Sequence, residues 1–284
     1  MSSRPVGGGS YQQPLEADQV AAADDDSSYG DALGSFTTSL KSSVTNYQYE
    51  NGRRYHAFRS GSYPLPNDDA ESQRLDIFHH MINLSLNGVL HLAPIGNPER
   101  ILDIGTGTGT WAIEMVESTP PNRKGNINML IVVDRHTKPG GWVEFQDLDI
   151  QMYSEDNTFP ESLDLKKWNV QLIDGYRKLA REPCPGPLLE GWLKGAGFQN
   201  ITHKQFKLPA GAWPKDKHFK EVGSCNLLQL LEGFEAFSLA PFTRALGWSA
   251  DEVQLLLNGV RKDVQNPKVH SLYDLHVVYA QKPA

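Results

Sequence analysis

The residues best placed to do chemistry lie in one run, Ile101-Leu-Asp-Ile-Gly-Thr-Gly-Thr-Gly-Thr-Trp111. Gly105, Gly107 and Gly109 recur there at every second position. Glycines let a backbone turn sharply and let a ligand approach main-chain N–H groups that a Cβ would shield. The chemistry this suits is binding of a nucleotide-like ligand at the end of a strand, beside a helix N-terminus. A dinucleotide fingerprint fits only loosely, because Thr110 stands where a third spaced glycine belongs, and a phosphate loop would need a Gly-Lys-Ser/Thr ending that is missing. A second group, Glu144, Asp147 and Asp149, holds candidates for a general base, although carboxylates at a strand end also serve as solvated or capping groups. His79 and His80 are adjacent and so point about 100° apart on a helix, a poor metal pair. One is expected to pack and the other to be partly exposed, and no metal site is expected.

The elements that must position these residues follow from the apolar pattern. Ile101, Leu102 and Ile104 predict a strand covered on both faces, and Trp111, Ala112, Ile113, Met115 and Val116 predict the helix after the turn. Asp68, Asp69 and Glu71, followed by Leu75, Ile77, Phe78, Met81, Ile82, Leu84 and Leu86, predict a helix from about residue 67 to 87 with acid in its first turn. Met129 to Val133 is a short apolar run ending in Asp134, and Lys138-Pro-Gly-Gly141 is a turn that leads into a strand with Trp142, Val143, Phe145 and Leu148. Helices are then predicted over about 160–179, 188–193 and 221–237, with another that Ser249 and Glu252 cap. Strands are predicted over 198–208 and 276–280. Trp192, Phe198, Phe234, Phe237 and Trp248 are assigned to the core, some of them to a possible aromatic pocket.

The 284 residues are 39% hydrophobic and 21% charged, which suits a packed core. A net charge of −7 argues against general nucleic-acid binding, although Arg53, Arg54 and Arg59 form a local basic patch. Cys184 and Cys225 lack metal-ligand spacing and read as reduced thiols, so the chain is expected in the cytoplasm or nucleus. No apolar leader or membrane span of about 20 residues is visible. Residues 1–45, rich in Gly, Ser, Ala and Asp, are expected to be disordered, with one domain over 46–284.

Several blocks together resemble the fungal LaeA-like, or TAM-domain, class I methyltransferases of secondary metabolism. They are Glu50-Asn-Gly-Arg-Arg-Tyr-His56, Tyr63-Pro-Leu-Pro-Asn-Asp-Asp69, Arg74-Leu-Asp76 with His79-His80, Leu92-Ala-Pro-Ile95, the glycine run through Glu114, Lys138-Pro-Gly-Gly-Trp-Val-Glu-Phe-Gln146, Phe242-Thr-Arg-Ala-Leu-Gly-Trp-Ser249 and Arg261-Lys-Asp263. The resemblance implies an α/β, Rossmann-like sheet with a helical N-terminal lid, to which Tyr55 and Arg59 would contribute unless their role is structural. It implies S-adenosyl-L-methionine as cofactor and a small-molecule oxygen, nitrogen or carbon nucleophile as substrate. The cofactor site would be Asp103, Gly105, Thr106, Gly107, Thr108 and Gly109. Asp103 would hold the cofactor ammonium, its alternative being a loop or capping bond. Thr106 and Thr108 would bond the cofactor carboxylate or only local backbone.

One interval departs from the family. Only residues 121–137 stand where relatives carry three further strands and their helices. A single crossover takes a dozen or more residues, so the interval is about sixty residues short and the sheet is expected to be truncated in its middle. A dropped exon would leave the same gap. Asp134 is placed to accept from both ribose hydroxyls in place of the missing acid, although a turn role before Lys138-Pro139 is the plainer reading. No catalytic residue is assigned. The expected activity is methyl transfer. The alternatives are an inactive homologue acting as regulator or accessory subunit through a protein partner, and a cofactor-free enzyme that reuses the pocket.

Overall fold

The computed structural model describes Leu15 and residues 47–56, 63–96, 98, 100–118 and 137–284. The tail expected to be disordered (apart from Leu15), Arg59, the run from Met129 to Val133 and Asp134 lie outside the described residues.

A short hairpin of β1 (Gln48–Glu50) and β2 (Arg53–Tyr55) precedes α1 (Asp69–Ser85) and α2 (Thr110–Ser118). Then follow β3 (Trp142–Tyr153), α3 (Asp164–Lys178), a 3-10 turn (Gly186–Leu188) leading into α4 (Leu189–Gly195), and β4 (Gln199–Pro209). The chain closes with α5 (Lys217–Ala240), a π-helical turn (Pro241–Ala245), α6 (Ala250–Gln265) and β5 (Leu272–Gln281). The fold is mixed α/β. Its larger described sheet has the order β3-β5-β4, with both pairs antiparallel.

Period-two alternation on β5 divides the interior in two. Tyr273, Leu275 and Val277 face a large core with Met81, Trp168, Phe234 and Leu257, whereas Val278 and Ala280 face a smaller one with Val143, Leu189, Leu193 and Phe198. The expected core residues Phe234 and Phe198 are buried, and Phe237 and Trp248 pack against the large core. Trp192 is not core, being 53% exposed. The short α4 buries only the face of Leu189 and Leu193, and Trp192 lies one residue off that stripe.

Local signals explain the helix ends. The Asp68 carboxylate accepts from the Glu71 N–H at 3.0 Å and caps α1. It also accepts from Arg53 Nε at 2.6 Å and Nη2 at 2.8 Å, which ties the hairpin to the helix. The N-terminal segment is therefore a hairpin docked on α1, not a purely helical lid. Tyr55 is buried under the Arg244 guanidinium, a structural position. Ser249 and Glu252 form the expected capping box on α6. Helix α1 docks on α5 through a buried polar group, in which Arg74 donates to both Glu71 carboxylate oxygens at 2.9 and 2.7 Å and to Gln229 Oε1 at 2.9 Å.

The strand expected at residues 101–104 does not form. This stretch is irregular, and Ile104 is 45% exposed instead of buried on both faces. A strand exists through its ladder partners. Among the described residues no strand pairs with this stretch. The parallel strands of a Rossmann-like sheet are likewise not found among the described residues.

Candidate functional site

The glycine turn keeps its form without the strand. Gly105, Gly107 and Gly109 have φ of 83°, 56° and 85°, the left-handed region where a Cβ is disfavoured. The Gly109 N–H bonds the Thr106 carbonyl at 2.8 Å, and the Ile113 N–H bonds the Gly109 carbonyl at 3.0 Å, opening α2. A Cβ on Gly105 would meet nothing within 4 Å, so that backbone is open to an approaching group.

Asp103 stands at the mouth of this turn. Its Oδ2 is buried and accepts no hydrogen bond. Burial pushes its carboxyl above the ordinary range, against a smaller opposite pull from a bond to Thr106. A buried carboxylate oxygen without a donor is unfavourable until a cation or N–H group meets it. The alternative of a loop bond is met at the side chain by Thr106, while Oδ2 itself has no donor. Thr106 Oγ1 donates weakly to the Asp103 carbonyl at 3.4 Å. Thr108 Oγ1 instead donates to Asp76 Oδ1 on α1 at 2.6 Å, so its proton is turned away from any ligand carboxylate.

The turn and α2 are fastened from two sides. From α1, His79 Nε2 lies 2.9 Å and Asn83 Nδ2 3.4 Å from Glu114 Oε2. His79 is thus the packed member of its pair and His80 the exposed one. From the other side, the Leu90 carbonyl accepts both Trp111 Nε1 at 2.9 Å and, from β3, Gln146 Nε2 at 3.0 Å. Asp76, His79 and Asn83 were not singled out as a group from the sequence. Their spacing of three and four residues forms a polar stripe on one helix face, and that stripe was the available signal.

The three candidate bases have other partners. Glu144 Oε2 accepts the Leu92 and Ala93 N–H groups at 2.7 and 2.6 Å, pinning the strap before the turn to β3. Asp147 and Asp149 accept backbone N–H groups of Leu148 and Gln151 at 2.8 and 3.1 Å. Structural bonding is the role their geometry supports.

No protein-family model matches the chain. Individual relatives do. It is 39% identical to the methyltransferase pytC of Aspergillus terreus, covering 87% of this chain and 91% of the relative. It is 32% identical to the secondary metabolism regulator LAE1 of Cochliobolus heterostrophus, covering 84% and 95%. It is also 32% identical to the secondary metabolism regulator laeA of Monascus pilosus, covering 82% and 77%. The chain belongs to the fungal LaeA-like methyltransferases.

As a LaeA-like protein it shares relatives with both names, methyltransferase and regulator of secondary metabolism. The pytC alignment runs over 295 positions but holds 87% of 284 residues, about 247, so about 48 positions face no residue of this chain. That shortfall is of the same order as the one expected between the glycine turn and the Lys138-Pro-Gly-Gly turn. Methyltransferases in general draw on a donor of the S-adenosylmethionine type, and the partnerless Asp103 oxygen beside an open glycine backbone fits the cationic ammonium of such a donor. Among the described residues, no helix is long and apolar enough to cross a membrane.

Proposed function

We propose that this LaeA-like protein binds S-adenosyl-L-methionine at the glycine turn and methylates a small-molecule oxygen, nitrogen or carbon nucleophile. The observation that carries this reading is Asp103 Oδ2, buried and without a donor at the turn. Asp103 would receive the ammonium. Gly105, Gly107 and Gly109 would admit the donor to the main chain, with Thr106 beside it. Asp134, outside the described residues, remains the candidate for the ribose hydroxyls, and Asp134→Ala tests it by weakened binding. The donor, when bound, supplies a methyl group on a sulfonium. What the chain must contribute is alignment of acceptor and methyl group, since in-line displacement depends chiefly on proximity and orientation. A general base is required only for an acceptor that must first lose a proton. The carboxylates of β3 are held by backbone N–H groups, so no residue is assigned that role.

Calorimetric titration of the full chain with S-adenosylhomocysteine tests the reading. One site per chain is expected, lost in Gly107→Asp and in Asp103→Ala. Folded protein that gives no binding heat would overturn it. The names of the LAE1 and laeA relatives favour a second reading, regulation through binding instead of turnover, and that same null titration would leave it standing.

A further inference from the structure

We propose that Asp76 is the positioning residue of the glycine turn: from the middle of α1 it sets the conformation in which the turn meets its ligand. This rests on the methyl-donor reading for its functional meaning, but the geometry stands by itself. Asp76 Oδ1 accepts from Thr108 Oγ1 at 2.6 Å and from Thr110 Oγ1 at 3.1 Å, and the two hydroxyls lie 2.9 Å apart. One carboxylate oxygen thereby joins three pieces of backbone: α1, the turn at Thr108, and the first residue of α2 at Thr110.

The chemistry explains why a carboxylate suits this place. The two hydroxyl protons can fill only two of the three oxygen contacts, and a partner that brings no proton of its own can accept both. An ionised carboxylate is that, and hydrogen bonds to it are stronger than neutral ones. Asp76 also lies at the N-terminal end of α2, where the helix dipole favours a negative charge.

The need for such a fastening follows from the turn itself. Three left-handed glycines in five residues give a backbone with much conformational freedom to lose, and a ligand that must order it binds more weakly. Side chains that could order it from within are few. A Cβ at Gly107 would find Leu75 Cδ1 at 3.7 Å, from the residue beside Asp76, and one at Gly105 would find nothing. The strand that would brace the turn from before is absent among the described residues. Helix α1 is therefore the plate on which the turn rests, and Asp76 is its charged contact with the turn.

This arrangement also fixes what the turn offers. With its proton committed to Asp76, Thr108 can act towards a ligand only as an acceptor. Together with Asp103 Oδ2, the turn becomes rich in acceptors and suited to the cationic end of a ligand.

The test uses the full chain without ligand first. Hydrogen–deuterium exchange is followed in peptides covering residues 103–112 of the wild type, Asp76→Ala, Thr108→Val, Thr108→Ser and the Asp76→Ala/Thr108→Val double variant. Faster exchange at 105–110 is expected in Asp76→Ala and Thr108→Val, with Thr108→Ser behaving as wild type. Affinity for S-adenosylhomocysteine should fall about tenfold in Thr108→Val, the loss of one charge-assisted bond, and at least as far in Asp76→Ala, which removes the bonds to both Thr108 and Thr110. The double variant should be no worse than Asp76→Ala alone, because Asp76→Ala already removes the bond to Thr108. Unchanged exchange in Thr108→Val overturns the proposal, as does a double-variant loss equal to the product of the single losses. If Asp76→Ala fails to fold, the Thr108→Val and Thr108→Ser pair decides alone. A wild type that binds no S-adenosylhomocysteine refutes the methyl-donor reading, while exchange in the ligand-free protein still reports on Asp76.

Discussion

The stretch from Leu90 to Ser118 and the block from Trp142 to Gln281 are held together in different ways. In the C-terminal block, β5 is buried along nearly its whole length, and helices α3, α5 and α6 cover one of its faces. Trp168 and Phe234 meet edge to face at 5.0 Å, and Trp168 Nε1 donates to Ser238 Oγ at 2.7 Å. In α2, by contrast, only Met115 is buried, while Ile113 and Val116 are 59% and 42% exposed. What fixes that helix and its turn is a handful of directional contacts, Asp76 to Thr108, Glu114 to His79, and Trp111 to Leu90. Burial gives stability that is spread over many atoms. A few polar bonds give a defined shape at a low local stability, the usual condition of a segment that awaits a ligand.

Substitutions test this contrast. The largest effect belongs to the deep core. Phe234→Ala should lower the unfolding free energy by about 3–5 kcal/mol, read by urea denaturation, because the cavity adds to the lost transfer energy. The molecules that remain folded should keep wild-type affinity for S-adenosylhomocysteine. Loss of that affinity would mean that the two regions are not separate.

Next comes the buried polar joint between α1 and α5. Arg74→Ala strands the Glu71 carboxylate and should cost about 3 kcal/mol, whereas Arg74→Met with Glu71→Gln should recover much of it. Equal losses in the single and double variants would show that Arg74 acts through packing on Phe237, whose ring lies 4.8 Å away, and not through charge.

Asp68→Ala removes the α1 cap and should cost about 1 kcal/mol near neutral pH. The Arg53 guanidinium holds the Asp68 carboxyl down at about 2, from 3.8. A depressed carboxyl stabilises the fold above its unfolded value. The difference between wild type and Asp68→Ala should therefore be constant above about pH 5 and shrink as pH falls from there towards 2. A difference that does not change over this window would show that Arg53 and Asp68 are not coupled.

The smallest stability effect is expected at the turn. Asp103→Asn should change the unfolding free energy by less than about 1 kcal/mol, and upward, since it removes a buried charge without a donor. The raised Asp103 carboxyl gives the opposite pH sign to Asp68. Its protonated form suits the fold, so it favours folding at low pH and loses that contribution as pH rises through its folded value. The same substitution should cost most of the binding of S-adenosylhomocysteine. A large loss of stability with intact binding would reverse the contrast between the two regions.

Legibility in the sequence followed the same division. Helix α1 is found at Asp69–Ser85 against an expected 67–87, and α3 at Asp164–Lys178 against 160–179. The strands expected over 198–208 and 276–280 are β4 and β5. These elements bury a periodic face, and periodicity is local information. Residues 101–104 form no strand although three of them are apolar, because apolar residues make a strand only where partners exist. The roles of Glu144 and Asp76 were hidden for a related reason. The first bonds backbone about 50 positions earlier and the second a hydroxyl 32 positions later, separations that no sequence window covers.

Residue types and spacing alone marked the glycine turn, the capped amphipathic helices and the family. Each depends on residue type or spacing along the chain. Only the tertiary structure decided that residues 101–104 stay irregular, that Asp103 Oδ2 is buried without a donor, and that Asp76 holds the turn from α1. Pairing, desolvation and hydrogen-bond partnership depend on which distant groups the fold brings near, and that is settled when the whole chain packs.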